Sequence, residues 1–347
     1  MTARWEIRSV NSREYANSAE KAGLNLPIEQ TEHWGRVDEI QANRKHLGYY
    51  LVFFDGDLVA QFRATKMDWH ATFFVWLRHG PVWLAKPSAE LEKGFLETLE
   101  QFAKQEWQGA LHLRLDLFHR AVHNSYMPYS LSTHDRTVVI DTTVSDRAAA
   151  DEVLQEEIIA KFKSRGRKQA RQSLRDTEIV CADETDAAFR DFSPYHRVLV
   201  ETSNRDGFTA WSSQHYQEML EALGKENARL YASRIDGELT SWMLVTLSGK
   251  YACYFYGAST TASMKRSVNE RLVVFVCVDI AKRGCEAMDM MGIGSELNPS
   301  LNGLNVYKTK FSTAVVEVAP TQDVPLAVFR YRLMMAARAT LQRLKQR

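Results

Sequence analysis

The sequence has few of the features that mark a secreted, membrane-spanning or metal-binding protein. Its 347 residues include only four cysteines, none in a Cys-x-x-Cys pair, and no His-Glu-x-x-His occurs. The opening MTARWEIRSVNSREY is polar, unlike a secretory signal. The longest apolar run, residues 272–278, is far shorter than the roughly 20 residues that a membrane helix needs. We therefore expect a cytoplasmic protein with reduced thiols and no metal.

Two parts of the chain share one order of landmarks. Residues 48–117 and 229–293 each place an Asp-Gly pair between two alternating apolar segments, which is a strong hairpin signal. An aromatic-rich strand, a helical segment and a short strand follow in each part. The matching landmarks are Gly56 and Gly237, Gly80 and Gly257, and Asp116 and Asp289. This pattern predicts two copies of one α/β unit.

The order of hairpin, strand, helix and strand is that of the acetyltransferase-like (GNAT) fold. We therefore predict an α/β (α+β) protein with tandem duplicated GNAT domains, the first at residues 1–150 and the second at 151–319. Coenzyme A enzymes of this fold usually bind pyrophosphate on a glycine-rich turn before the helix. The corresponding turns, residues 80–94 and 258–271, lack closely spaced glycines. Coenzyme A is therefore disfavoured as the acyl donor.

The net charge of +1 conceals two strongly basic segments. Residues 161–175 hold seven basic residues and no acid, and residues 325–347 form a basic amphipathic helical pattern that also lacks acids. Such segments are either solvated helix faces or sites for a polyanion: a nucleic acid backbone, nucleotide phosphates or an anionic membrane surface. The first segment has no interleaved aromatics for base stacking, which favours contact with a nucleic acid backbone.

A family resemblance is carried by a series of short motifs in one order. They are QTEHWGRV, RHGPV, LRLD, KSRGRKQARQSLRDTEIV, ETSNRDGF, YFYGAST, MMGIGSE and GLNVYKTKF. In these the chain resembles the Fem-type (FemABX) peptidyltransferases, which transfer an amino acid from aminoacyl-tRNA to the stem peptide of a peptidoglycan precursor. The resemblance implies tandem GNAT domains, with the C-terminal helix at 320–347 packed on the first. No helical arm interrupts residues 216–234, as in the compact branch of the family.

The resemblance also assigns site residues. It implies that Lys308 stabilises charge near the reacting ester beside Tyr307, and that Arg205 binds the precursor's phosphates. It places Asp116 and Tyr256 in the acceptor groove. The predicted site residues are, as catalytic, Lys308, Tyr307 and Asp116; as substrate-binding, Arg205, Tyr256, Arg36 and Tyr254; and as tRNA-binding, Lys163, Arg165, Arg167, Lys168 and Arg171.

Three positions depart from the family pattern. Leu117 replaces a proline after the aspartate, and Ser312 replaces a glycine after Phe311. The lysine expected shortly after Trp34 is not evident, since Arg36 and then Asp38 follow. This last departure leaves the phosphate-binding half of the acceptor site, and so the acceptor, open.

The implied reaction is aminolysis of an activated ester and needs no cofactor beyond aminoacyl-tRNA. An amine attacks the carbonyl, an oxyanion develops, and the tRNA ribose oxygen leaves. We expect Lys308 to aim its charge at the oxyanion, with Tyr307 holding the lysine stem. On a strand, Lys308 and Lys310 would share one face. Asp116 would orient the amine, and the fork of Arg205 suits a diphosphate.

Several alternatives stay open. The acceptor is a UDP-linked or lipid-linked muramyl peptide or another peptide acceptor, and the rival product is a small peptide natural product made by the same amide-forming step. Peripheral contact with the inner membrane face is a further expected interaction. From another class, the chain could be a non-catalytic RNA- or membrane-surface-binding protein on a GNAT-like scaffold. Apart from the resemblance, Lys308 would be an ordinary surface lysine.

Overall fold

The computed structural model describes residues 4–120, 124–129, 133–261, 263 and 266–345. The chain divides into two compact units. Unit 1 consists of Met1–Thr133 and Ala319–Arg347, and unit 2 consists of His134–Val318.

The elements follow in chain order. Unit 1 begins with β1 (Trp5–Val10), α1 (Ser12–Lys21), α2 (Glu32–Glu39), β2 (Arg44–Phe54), β3 (Asp57–Trp69), β4 (Thr72–Trp76), β5 (Val82–Trp83), α3 (Ala89–Glu106) and β6 (His112–Asp116). Unit 2 contains β7 (Arg136–Asp141), α4 (Asp151–Ala160), α5 (Ser164–Leu174), β8 (Ile179–Asp183), α6 (Thr185–Arg190), α7 (Ser193–Asp206), α8 (Ser213–Leu223), β9 (Ala228–Ile235), β10 (Glu238–Ser248), β11 (Tyr251–Ser259), α9 (Val268–Lys282), β12 (Ala287–Gly292), α10 (Asn302–Lys308) and β13 (Val315–Glu317). The chain then returns to unit 1 with β14 (Thr321–Pro325) and α11 (Val328–Lys345).

Each unit is built on a seven-stranded sheet. The strand order is β1-β2-β3-β4-β6-β14 in unit 1, where β5 also pairs with β3, and β8-β9-β10-β11-β12-β7-β13 in unit 2. In each sheet one neighbouring pair is parallel, β4 with β6 and β11 with β12, and a long helix, α3 or α9, lies between the two strands of that pair in the chain. The shared order confirms the predicted duplication.

The two hairpin turns explain why both Asp-Gly pairs are present. Asp55 and Gly56 have φ angles of 51° and 92°, and Asp236 and Gly237 have 51° and 81°. Two successive residues in the left-handed region are what a type I′ turn requires, and its twist matches that of the flanking strands. The other glycine landmarks are less alike, because Gly257 lies within β11 whereas Gly80 lies beyond the end of β4.

The division of the chain differs from the predicted one in two places. Unit 2 begins at His134 rather than after residue 150, because β7 pairs with β12 and β13 of the second sheet. The predicted helix at 320–347 is too long, since β14 precedes α11 and pairs with β6. The sheet of unit 1 therefore receives its last strand, β14, from the part of the chain that follows unit 2.

In each unit, the helix that connects the two parallel strands covers one face of the sheet. This helix is α3 in unit 1 and α9 in unit 2. In unit 1, Phe95 and Leu99 of α3 are fully buried against the sheet, and Ser88 caps the helix by accepting from the Leu91 amide at 3.2 Å. In unit 2, α9 buries ten of its fifteen residues and packs against β8, β9 and β10. These two cores hold the carboxyl ends of the parallel strands in place.

Candidate functional site

The parallel strands β11 and β12 of unit 2 separate part of the way along their length. Within these fully described strands, β11 and β12 pair only from Tyr251–Ala287 to Cys253–Asp289, although both strands continue. Open positions at the carboxyl ends of parallel strands are common ligand sites in α/β proteins. The residues around this opening are those that the sequence singled out in YFYGAST, MMGIGSE and GLNVYKTKF.

A β-bulge shapes the β11 side of the opening. Leu244 opposes Tyr256 and Val245 opposes Tyr254, so Phe255 is the extra residue. The Tyr254 ring packs against the core and crosses Gly257, where a Cβ would lie 2.0 Å from the phenol oxygen. Burial raises the pKa of Tyr254 to about 12. Tyr256 instead makes an edge-on contact with Tyr216, with ring centroids 5.2 Å apart. The bulge thus separates the two predicted substrate tyrosines.

The β12 side ends in a tight turn. Asp289 accepts from the amide of Met291 at 2.7 Å and from the Thr137 hydroxyl, while Met291 has a φ of 64°. The following Gly292 lies under the His134 ring, and a Cβ there would fall 2.4 Å from it. Asp289 therefore stabilises the turn that presents the Gly292 carbonyl.

Lys308 is buried at this turn. The expectation of a strand is wrong, because Lys308 is the last residue of helix α10. Its side chain donates from Nζ to the Gly292 carbonyl at 2.8 Å, and the residue is only 8 % exposed. Burial lowers its pKa to about 8, against the opposing influence of Asp289 and Cys253. An ammonium group at such a position carries a charge that water does not screen.

Helix α10 is tied to β12 by a residue that sequence reasoning missed. The Asn305 side chain accepts from the Gly294 amide at 2.7 Å and donates to the Gly294 carbonyl at 3.2 Å. A Cβ at Gly294 would lie 2.2 Å from the Asn302 side chain. Gly294 and Asn305 occur in the quoted motifs MMGIGSE and GLNVYKTKF, but their pairing depends on a loop whose course the sequence does not show.

Tyr307 supports Lys310 rather than the stem of Lys308. The Lys310 ammonium lies 4.8 Å from the Tyr307 ring centroid and 5.0 Å from that of Phe311, and it forms a buried ion pair with Glu270 of α9. The Lys310 carbonyl accepts from the Lys163 amide at 3.0 Å. Burial raises the pKa of Tyr307 well above its ordinary value. This cluster fixes the chain immediately after Lys308.

Asp116 lies in unit 1, at the end of β6, in a network of charges. It accepts from the Thr321 hydroxyl at 2.6 Å, and its other oxygen is 3.4 Å from His79 Nδ1. The second ring nitrogen of His79 is 3.6 Å from Glu29. Burial lowers the pKa of His79, but the Glu29 charge and the Asp116 hydrogen bond outweigh burial and raise it to about 9. His79 was not predicted, although RHGPV contains it.

The two arginines predicted to bind the acceptor both have carboxylate neighbours. Arg36 of α2 lies in unit 1, is largely exposed and is 3.5 Å from Glu32. Arg205 of α7 lies in unit 2 and pairs with Asp206 at 2.8 and 3.1 Å while donating to the Ser259 carbonyl at 2.8 Å. A diphosphate would have to compete with these acids.

The predicted tRNA-binding residues lie on and just before α5, but not all are available. Arg167 is half-buried and donates to the Phe162 carbonyl at 2.6 Å. Arg171 pairs with Glu156 of α4 at 2.8 Å. Lys163, Arg165 and Lys168 are exposed. These three are the strongest part of the predicted cationic surface.

The described residues show neither a metal-binding cluster nor a membrane-spanning helix. They contain no group of three or more His, Cys, Asp or Glu side chains arranged to hold a metal ion. Among them, no helix combines the length and apolar character needed to cross a membrane.

This chain is similar to a known domain family and to several solved structures. Residues 160–309 match the family model described as acetyltransferase (GNAT) domain, which supports an acyltransferase. No curated protein matches the sequence. A solved structure of FemX is similar over 94 % of this chain and 99 % of that chain, with a TM-score of 0.72 and 14 % identity.

Two other solved structures resemble the whole chain. One is the C-terminal domain (DUF2156) of a putative lysylphosphatidylglycerol synthetase from Agrobacterium fabrum, with a TM-score of 0.51, 10 % identity, and 94 % and 97 % of the two chains covered. The other is a tandem GNAT protein from the clavulanic acid biosynthesis pathway, with a TM-score of 0.51, 9 % identity, and 93 % and 99 % covered. The chain therefore has a tandem GNAT-like fold similar to that of FemX, which confirms the Fem-type resemblance at the level of the fold.

Proposed function

We propose that this protein transfers an amino acid from aminoacyl-tRNA to the amine of a peptidoglycan-precursor stem peptide. The observation that carries the proposal is the buried Lys308 ammonium at the open end of β11 and β12. The GNAT domain match supports acyl transfer, and the similarity to FemX supports the aminoacyl and peptide substrates. Since charged tRNA is a cytoplasmic molecule, the reaction would take place in the cytoplasm.

The reaction requires positioning and a fixed positive charge. The acceptor nitrogen forms a bond to the aminoacyl carbonyl carbon, the bond to the ribose oxygen breaks, and the amine's proton ends on that oxygen. Lys308 would stabilise the oxyanion formed between these steps, an effect worth about 3 kcal/mol for one preorganised donor. Gly292, which accepts from Lys308, and Asn305, which anchors α10, would hold the ammonium in position.

The starts of the relevant helices favour tRNA over coenzyme A as the donor. Glu270 lies in the first turn of α9 and is paired with Lys310. Glu92 lies in the first turn of α3 and accepts from the amides of Phe118 and His119 at 2.9 and 2.7 Å. Helix starts favour anions, but each of these already has a buried carboxylate in its first turn, which makes it a less favourable site for a pyrophosphate.

A second candidate acceptor is a peptide that carries no diphosphate. Both Arg36 and Arg205 are next to carboxylates, which favours an acceptor without a diphosphate, such as a small peptide natural product. The solved tandem GNAT protein comes from a natural-product pathway. A UDP-linked or lipid-linked muramyl peptide requires these arginines to exchange their acidic partners for phosphate oxygens.

The test follows radiolabelled amino acid from a set of charged tRNAs into acceptors. We expect transfer to a muramyl pentapeptide from at least one charged tRNA. In Lys308→Met we expect the rate to fall by about 100-fold or more, with the melting temperature unchanged or higher because a buried charge is removed. Lys225→Met, which removes an exposed lysine of unit 2, is the matched control.

The outcomes separate the candidates. Transfer to UDP-free peptides but not to muramyl pentapeptide would support the natural-product acceptor. If no charged tRNA is consumed with any acceptor, the proposed reaction is wrong. If Lys308→Met transfers as fast as the unaltered protein, the proposed role of Lys308 in stabilising the oxyanion is wrong.

A further inference from the structure

Helix α11 leaves an apolar stripe uncovered. Phe329 is 80 % exposed and Leu333 is 63 % exposed, and the next turn adds the exposed Ala336. The three residues lie at i, i+4 and i+7, so they share one face of the helix. A side chain as large as phenylalanine is rarely left in water without a reason when its apolar neighbours extend the same surface.

The opposite face of α11 is anchored to unit 1, which fixes the direction of the stripe. Tyr331 is buried, and its hydroxyl donates to Asp323 of β14 at 3.1 Å. Two turns later, the Arg338 guanidinium lies 4.1 Å from the Tyr129 ring centroid and 4.9 Å from that of Trp69. The exposed stripe is therefore the outer face of an anchored helix.

The charge around the stripe has one sign. Arg330 and Arg332 are exposed beside Phe329 and Leu333, and residues 324–347 contain no acid. A helix with phenylalanine and leucine on one face and arginines around them is the type that lies in the interface of an anionic bilayer. The other basic helix, α5, differs. Lys163 just before it and Arg165 and Lys168 on it are exposed, but no stripe of exposed apolar side chains accompanies them.

We propose that α11 binds the surface of an anionic lipid bilayer, with Phe329 and Leu333 entering the interface and Arg330 beside the lipid headgroups. A nucleic acid would satisfy the arginines but leave the apolar stripe in water. A second copy of this helix would bring arginines against arginines. The proposal goes beyond the transfer reaction and does not depend on it, because lipid binding is measured without substrates.

The test is flotation of the full chain with phosphatidylcholine vesicles, with and without phosphatidylglycerol. We expect binding to the anionic vesicles to be about tenfold or more tighter, and to weaken in high salt. Phe329→Ser/Leu333→Ser should reduce it by about tenfold or more, since the apolar insertion is lost. Arg330→Glu should reduce it by several-fold.

The matched control is Val153→Ser/Val180→Ser, which removes two exposed apolar residues of unit 2. It should bind vesicles like the unaltered chain, and circular dichroism should show that both double variants are folded. The proposal is overturned if the chain does not float with anionic vesicles, if the two vesicle types bind equally, or if the α11 double variant floats undiminished. Loss of tRNA binding in that variant, without vesicle binding in the unaltered chain, would assign α11 to RNA instead.

Discussion

The two units carry opposite chemistry at the same place in their sheets. In unit 1, the end of β6 holds Asp116 in a network with His79, Glu29 and Arg78, where two positive groups face two carboxylates. In unit 2, the end of β12 holds the buried Lys308, whose ammonium donates to a carbonyl. A matched network suits binding, whereas a buried cation suits stabilisation of a developing negative charge. Duplication of the scaffold has thus not duplicated the site.

The largest predicted effect concerns the buried ion pair that follows Lys308. Glu270→Gln leaves the Lys310 ammonium buried without its counter-charge, and we expect a loss of about 3–5 kcal/mol in the free energy of unfolding. Chemical denaturation measures it. The control is Glu286→Gln, because the pair of Glu286 with Lys250 is exposed and should be worth less than about 1 kcal/mol. Equal losses in the two variants would show that the buried pair does not stabilise unit 2.

The second prediction concerns the pH dependence of the proposed transfer. In the proposed reaction the ammonium form of Lys308 would be the active one, and burial lowers the pKa of this residue to about 8. The rate, corrected for spontaneous ester hydrolysis, should therefore stop rising and fall as the pH passes about 8. Lys308→Arg keeps its charge to much higher pH, so this variant should lose the decline. If the rate of Lys308→Arg declines at the same pH, the decline is caused by the titration of another group.

The third prediction concerns the stability of unit 1. Because the pKa of His79 is raised to about 9 in the folded chain, its protonated form stabilises the fold. That contribution is complete below the unfolded value of about 6.5 and is lost as the pH rises through about 9. His79→Gln should therefore cost about 1–2 kcal/mol near pH 6, after allowance for partial exposure, and much less near pH 10. If His79→Gln loses the same free energy of unfolding at both pH values, His79 stabilises unit 1 by its packing and not by its charge.

The smallest predicted effect separates the two basic helices. Arg165→Glu/Lys168→Glu on α5 should weaken tRNA binding by several-fold and flatten its salt dependence, while leaving vesicle binding unchanged. Lys93→Glu/Lys104→Glu on α3 makes the same change in net charge at exposed sites of unit 1. Filter binding across a salt series compares them. If both double variants weaken tRNA binding equally, the effect comes from the overall charge of the protein and not from the position of Arg165 and Lys168 on α5.

Local signals predicted the repeat well. The Asp-Gly turns were recognisable because only a few residue types adopt two successive left-handed conformations, and Asp55–Gly56 and Asp236–Gly237 do so. The helix after each aromatic strand also followed from its apolar spacing. The pairing of β14 with β6 was not predictable, because the whole of unit 2 separates these strands in the chain and pairing over such a distance leaves no mark in either segment.

The site was predicted less completely. Alternation in YKTKF resembles a strand, yet α10 extends through Lys308 and is anchored by the bond of Asn305 with Gly294. Tyr307 was expected to support Lys308 but contacts Lys310. Arg167 and Arg171 were expected to be available and instead have partners within unit 2. The contacts of Asn305 with Gly294 and of Arg171 with Glu156 join different elements. The contacts of Tyr307 with Lys310 and of Arg167 with the Phe162 carbonyl are local, but they depend on a backbone course that the residue pattern did not show.

The order of elements, the hairpin turns and the clustering of basic residues were determined by the sequence itself, because they depend on neighbours within a few positions. The tertiary structure alone decided that Lys308 and Lys310 are buried, which acids contact His79 and which face of α11 is left in water. Burial and unscreened charge come from atoms that the fold brings together, and no local pattern specifies them.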